Sequence, residues 1–492
     1  MSQGDAEPVA DDASRPVPAS GRRLRRWSTG LVVVLLLAAL TTYQFDLGTR
    51  WFDLGPPSPV SEPAKVPPPP GLSLPQLGTA PAVAESTAPA DADPVAVRRA
   101  VAALAASRAL GPRVAVDVAQ LSDGESVLSQ GPAKVTPAST LKLLTAGAAL
   151  VQLGADHRFT TSVVRSGPRG PIVLVGGGDP FLASQPVDDA DVYPPRADVQ
   201  TLARSTARTL RASGRDRVQL RYDASLFSGP QLSPHWGASY FPDNVVTPIS
   251  SLWVDEGLQP NGYQRYADPA AAAAEVFADA LRERGIKVVG QLRPGRAAPE
   301  STELAAVQSA PLGQIVERVL QVSDNEGAEV LARHVALAAG APATFEGGAA
   351  AVLETLGGVG VDVAGNQTFD GSGLSRDDRL RPETLLSLLH VAATSEQHPE
   401  LRRLLSGLPV AGFTGSLTYR FDTGSPLGLG AVRAKTGTLT GVHGLAGTVT
   451  TRDGAVLEFV AIADRVALRD NATAQAIVDR LAAALAACRC AA

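Results

Sequence analysis

The chain has 492 residues, 45% of them apolar, which suffices for one large hydrophobic core and a smaller one. A formal net charge of −5, with no basic patch or interleaved aromatics in the folded part, argues against a nucleic-acid partner. Six scattered histidines and the absence of a His-Glu-x-x-His or paired-cysteine motif predict no metal and no other cofactor.

In chain order, a polar, acidic stretch to Ser20 precedes Gly21-Arg22-Arg23-Leu24-Arg25-Arg26 and an unbroken apolar run from Leu31 to Leu40. The uncharged window from Trp27 to Phe45 is close to the roughly 20 residues that span a bilayer, and the arginines orient the N-terminus inward. Residues 1–26 are therefore expected as a cytoplasmic tail and 27–47 as a single transmembrane anchor, placing the catalytic part outside the cell membrane. Secretion after cleavage of a signal peptide is the alternative, although no convincing Ala-x-Ala site follows. Residues 48–93, rich in Pro and Ala and including Pro67 to Pro70, form a linker of partly polyproline character that could reach on the order of 100 Å.

The folded part is expected to open with an alanine-rich helix, Pro94 to Leu110. A hairpin follows, Val114 to Gln120 and Ser126 to Gln130, turning over Asp123-Gly124. A helix starting near Ser139 comes next. Strands around Ile172–Val175, Val218–Tyr222 and Lys287–Val289 fall in an insertion, residues 160–303, between two halves of a discontinuous catalytic domain, 94–159 and 304–492. The glycine run at Gly176 is read as a turn at a strand end, because no Gly-Lys-Ser/Thr follows it. Near the C-terminus a strand around Lys435, a strand from Gly444 to Thr450, a turn at Arg452-Asp453-Gly454 and a strand from Ala455 to Ala463 predict a meander closed by a helix, Asn471 to Ala487. Cys488 and Cys490 are too close in sequence to bridge well, so an exposed tail is expected, with an intermolecular bridge as the alternative.

Three segments carry chemistry: Ser139-Thr140-Leu141-Lys142, Ser323-Asp324-Asn325 and Lys435-Thr436-Gly437. A serine hydroxyl is a poor nucleophile until a base takes its proton. Residues i and i+3 share a helix face, which brings the Lys142 amine to Ser139. That amine can act as a base only if desolvation and a neighbouring cation lower its pKa, and Lys435 is the expected cation. Ser323-Asp324-Asn325 precedes an amphipathic run, Glu326 to Ala339; Ser323 suits a proton relay between Lys142 and a leaving amine, and Asn325 the holding of a substrate amide. Lys435 and Thr436 suit a terminal carboxylate, and Gly437 allows close approach of a ligand. The backbone N–H groups of Ser139 and Thr438 suit an oxyanion.

These motifs, in this order, are those of β-lactamases and penicillin-binding proteins. From about residue 94 to 484 the chain resembles the class-C low-molecular-mass penicillin-binding proteins, the D-alanyl-D-alanine carboxypeptidases/endopeptidases of peptidoglycan. Gly176-Gly177-Gly178-Asp179-Pro180, Ile249-Ser250-Ser251-Leu252, Asp370-Gly371-Ser372-Gly373-Leu374-Ser375-Arg376, Leu408-Pro409-Val410-Ala411-Gly412 and Lys435 to Gly447 all look like that family's segments. The resemblance implies an α/β (α+β) fold of the penicillin-binding/serine β-lactamase type, an antiparallel sheet flanked by helices, with an inserted smaller domain. It implies Ser139 as the acylated nucleophile, Lys142 as its base, Ser323 and Asn325 as helpers, and Lys435, Thr436, Gly437 and Thr438 at the substrate. Arg376 matches an arginine that relatives use to hold the side-chain carboxylate of the stem peptide. Peptidoglycan stem peptides as substrate and β-lactams as covalent inhibitors follow; a β-lactamase and a catalytically inactive wall-binding scaffold are the alternatives. One departure stands out. Only Trp253 to Asp268 lies where relatives nest a further β-rich domain, too short to form a core of its own.

Overall fold

The computed structural model describes residues 90–167, 169–187, 192–422 and 424–491. The expected cytoplasmic tail, transmembrane anchor and most of the linker lie outside the described residues. Among the described residues no helix is long and apolar enough to cross a membrane.

Helix α1 (Pro94–Ala105) starts where the Asp93 carboxylate accepts from Val95 N and Pro94 takes the first turn, a position that needs no N–H. The hairpin β1 (Val114–Gln120) and β2 (Ser126–Gln130) has the expected bounds. A 3-10 turn, Ala138–Leu141, leads into α2 (Lys142–Leu153), whose first nine residues are all buried. Next come β3 (Thr160–Arg165), β4 (Ile172–Val175), α3 (Val199–Ala212), β5 (Arg217–Val218), β6 (Leu220–Asp223), α4 (Pro269–Glu283), β7 (Lys287–Val288), β8 (Arg293–Pro294) and β9 (Thr302–Gln308). The chain continues through α5 (Leu312–Val322), α6 (Asn325–Ala338), α7 (Phe345–Gly358), α8 (Pro382–Thr394) and α9 (Arg402–Gly407). It ends in β10 (Val432–Leu439), β11 (Val442–Thr450), β12 (Val456–Ala463) and α10 (Asn471–Ala487).

One sheet, in the order β10-β11-β12-β1-β2, is antiparallel throughout. Alternation along its strands divides its side chains between two cores. Ala446, Val460 and Ile462 join the cluster built on α2, α5, α6 and α8, while Leu445, Phe459 and Ala461 join the one built on α1 and α10. A second five-stranded sheet, β8-β6-β4-β3-β9, pairs β4 with β6 and β6 with β8 in parallel; α3 and α4 bury Leu202, Ala203, Phe277 and Leu281 in its core.

Three expectations need correction. Strand β9 pairs with β3, so the second sheet extends through residue 308 instead of ending before 304. Ala92, read as linker, is buried and bridges Ala491, and Asp93 N donates to Cys490 O. Cys488 and Cys490 are joined in a disulfide: the chain leaves α10 extended at Cys488, which sets the two Cα atoms 5.2 Å apart, and Cys490 is buried instead of lying in an exposed tail.

Candidate active site

The nucleophile turn is held under backbone strain. Ala138 has φ +47°, a region that costs a β-carbon residue of order 1–2 kcal/mol, and the turn is fixed by both the N–H and the hydroxyl of Thr140 donating to Pro137 O. Two glycines let other elements close on this turn. A Cβ at Gly437 on β10 would come within 2.7 Å of Pro137 O, and one at Gly373 would run into the Ala138 carbonyl. The edge strand and the Gly371–Ser375 loop can therefore both pack against Ser139.

Lys142 is fully buried at the start of α2. Its Nζ donates to Ser139 Oγ at 2.9 Å, to Asn325 Oδ1 at 2.8 Å and to Ser372 O at 2.7 Å. These use all three ammonium hydrogens. Burial lowers its pKa to about 8, against an opposing pull from Asp370, Glu329, Asp324 and Glu326. Roughly one amine in ten is then neutral at pH 7, about two hundred times more than for a solvated lysine. The expected second cation, Lys435, shares in a mutual repulsion with Lys142. Burial and the Lys142 charge together hold Lys435 well below its ordinary value.

Ser323 ends α5 in the left-handed region, φ +61°, and Asp324 caps α6 by accepting from Gly327 N. The strained residue reverses the chain between the two helices and turns its hydroxyl to Lys435, whose Nζ donates to Ser323 Oγ at 2.8 Å and to Thr436 O at 2.9 Å. Ser323 thus meets the lysine of the third segment, whereas the relay expectation paired it with Lys142. Asn325 does reach Lys142, one turn from the nucleophile. Lys435 has no exposed surface and stands behind the hydroxyls beside the cleft: Thr436 Oγ1 lies 3.0 Å from Ser416 Oγ, and Thr438 is exposed.

Strand β10 is an edge strand of its sheet, bridged on its outer side at Arg433 by Val410. Ala434 N donates away from β11, to Pro409 O. Antiparallel N–H groups alternate in direction, so those of Thr436 and Thr438 face the same open edge, where the cleft lies. Arg376 stands apart from this convergence. It is exposed, donates to Thr440 O just past β10, and lines a cavity of about 240 Å³ with Arg113, Arg379 and Arg465.

Asp370 lies in the segment already singled out, but other residues here carry no local sequence signal. Glu329, one turn after Asn325, accepts from Gly371 N and Ser372 N, and Asp370 accepts from Trp236 Nε1, Gly373 N and Ser375 N. Burial, then Asp370, pushes Glu329 up to about 8. Ser416 could have been suspected only from its place after Leu408–Gly412. Behind Ser323, Glu256, Asp324 and Glu326 gather their carboxylates, with Arg265 3.1 Å from Glu326 and Arg196 3.7 Å from Glu256. Burial and then Asp324 raise Glu326 to about 7 and Glu256 well above its ordinary value, so protonation and guanidinium charge serve this cluster.

A serine bonded to a dehydrated amine, beside a sheet edge offering N–H groups and hydroxyls, is the apparatus of acyl transfer through a serine ester. The profile of the D-Ala-D-Ala carboxypeptidase 3 (S13) family matches residues 97–262 and 259–486. The chain belongs to that family, and is a serine peptidase of the class-C low-molecular-mass penicillin-binding type. It is 36% identical over 466 residues to a carboxypeptidase of Mycobacterium tuberculosis, covering 93% of this chain and 98% of that one. It is likewise 36% identical over 430 residues to carboxypeptidase DacB of Mycolicibacterium smegmatis, covering 83% and 91%. The fold matches that of penicillin-binding protein 4 from Haemophilus influenzae with a TM-score of 0.63 at 22% identity, over 77% of this chain and 98% of that one.

Proposed function

We propose that the chain hydrolyses the terminal D-alanyl-D-alanine bond of peptidoglycan stem peptides through an ester on Ser139, and that penicillins acylate the same serine. The observation that carries this reading is the 2.9 Å hydrogen bond between Ser139 Oγ and a fully buried Lys142. Neutral Lys142 takes the Ser139 proton as Oγ attacks the carbonyl of the penultimate residue. The N–H groups of Ser139 and Thr438 receive the oxyanion, and Asn325 holds the amide of the bound peptide. On collapse the leaving amine needs one proton, and Ser323, backed by Lys435, delivers it. Water then cleaves the ester: its proton passes through Ser323 to Lys435, replacing the one given to the amine, and Lys142 returns the first proton to Ser139 Oγ as that oxygen leaves. Thr436, Thr438 and Ser416 suit the terminal carboxylate, with Gly437 leaving room for it. Arg376, at the far end of β10, reads a side-chain carboxylate further along the stem.

The apolar window at Trp27 to Phe45, preceded by four arginines, supports a single-pass anchor with the enzyme on the outer side of the cell membrane. A mature N-terminus beyond residue 40 would replace that anchor with secretion. For the activity, the purified protein is incubated with a defined pentapeptide and with penicillin. Release of one D-alanine per peptide and a long-lived penicillin adduct are expected. Rapid penicillin turnover with no D-alanine release would overturn the assignment.

A further inference from the structure

We propose that Glu329, which reaches neither Ser139 nor the cleft, is the positioning residue of the base: it holds the Ser372 carbonyl against Lys142 Nζ. This inference rests on the reading of Lys142 as the base.

Glu329 lies four residues after Asn325 on α6, so both side chains project from one helix face. Asn325 reaches Lys142 directly. Glu329 reaches it through one peptide unit. Its Oε1 accepts from Gly371 N at 3.1 Å and Ser372 N at 2.8 Å, its Oε2 accepts from Gly371 N at 3.1 Å, and the Ser372 carbonyl receives Lys142 Nζ at 2.7 Å. From the other side, Thr145 on α2 donates to Gly371 O at 2.6 Å. The loop is thus clamped between the helix that bears the base and the helix that bears Asn325. Gly371 itself lies so close to α6 that a Cβ there would come within 2.6 Å of the Ala332 Cβ. A carboxylate with 1% exposure is costly to bury, and three N–H contacts to the two oxygens offset only part of that cost.

The same group also acts on the base by charge wherever it is ionised, which burial delays to about pH 8. The charged groups packed around the pair are Asp370 and Asp378 from the loop, Arg333 from the next turn of α6, Asp324 and Glu326 at its start, and Lys435 from β10. Four carboxylates, Asp370, Glu329, Asp324 and Glu326, favour the protonated form of Lys142. Glu329 therefore has two separable effects, a carbonyl held in place and an amine kept from losing its proton too easily. Oε1 alone accepts from both N–H groups, so a glutamine can keep the clamp and drop the charge.

The test is the second-order rate of acylation by a fluorescent penicillin, measured from pH 5.5 to 9.5 on the full chain. Glu329→Ala should acylate ~100-fold more slowly than the parent at pH 8, the scale expected when a catalytic group drifts by about an ångström. Glu329→Gln should recover to within about fivefold at pH 9, and its acid limb should move to lower pH by at least half a unit, because every proton then lost comes from the amine. An alanine variant as fast as the parent, or a glutamine variant whose profile superimposes on it, overturns the proposal. If the alanine variant does not fold, the glutamine profile decides alone. A parent protein that takes no penicillin would instead sink the acyl-enzyme reading on which this inference stands.

Discussion

The sheet that ends in β10 buries ionisable groups on four of its five strands, whereas in the sheet built from β3, β4, β6, β8 and β9 only β6 does so, at Tyr222 and Asp223. Asp117 on β1, Lys435 on β10 and Glu458 on β12 are all withdrawn from water, and burial is the leading cause of the shift in each pKa. Such groups cost several kcal/mol to desolvate unless hydrogen bonds replace the lost water. Lys435 has those bonds; neither oxygen of Glu458 has one among the described residues. Of these groups Lys435 belongs to the acyl-transfer site, whereas Asp117, beside Ser129 and Glu383, and Glu458, beside His390, lie on other strands of the same sheet; the second sheet contributes shape and stability.

Ser139→Ala attacks the contrast at its strongest point. It should abolish penicillin labelling, a loss of at least ~10³-fold, while thermal unfolding stays within about 1 °C of the parent. Phe277→Ala should do the reverse. Removing a fully buried ring from the core of the second sheet should cost ~3–5 kcal/mol in denaturant unfolding and leave acylation of the folded protein within about twofold. If it slowed acylation tenfold, the separation of roles would be wrong.

The pH dependence sharpens the same contrast. Only the neutral amine accepts a proton, so acylation should fall about tenfold per pH unit below the Lys142 pKa of about 8 and level off above it. Ser416→Ala should weaken kcat/KM for a D-Ala-D-Ala peptide about fivefold to tenfold, the loss of one hydroxyl beside Thr436. The smallest effect concerns Glu458, pushed up to about 8 from an unfolded value near 4.5. Its protonated form favours the folded state, so this contribution is complete below about 4.5 and fades as pH rises through 8. Glu458→Gln should therefore raise Tm by about 2–4 °C at pH 9 and hardly at all at pH 5.

How much of this was legible beforehand follows from the range of the signals. The β1–β2 hairpin and α10 fall at their expected bounds because alternation, an Asp-Gly turn and an alanine-rich run are local. The second sheet was read less well. Its strands β5, β7 and β8 have two residues each, too few to show a period, and β9 lay on the wrong side of the expected boundary. At the site, Ser139, Lys142, Ser323, Asn325 and Lys435 announce themselves as short motifs. Their wiring does not. That Ser323 bonds Lys435 follows from a left-handed residue between two helices, and that Glu329 and Ser372 enclose Lys142 follows from tertiary packing 43 residues apart. The Cys488–Cys490 bridge escaped because its feasibility depends on backbone direction at one residue.

The most direct test of the central claim is the mass of the intact protein after brief exposure to penicillin G at pH 8, followed by peptide mapping. The account predicts one adduct of the full penicillin mass, on the peptide holding Ser139, and none on Lys142→Ala within the same time. An adduct on any other residue, or equal labelling of the lysine variant, would contradict it.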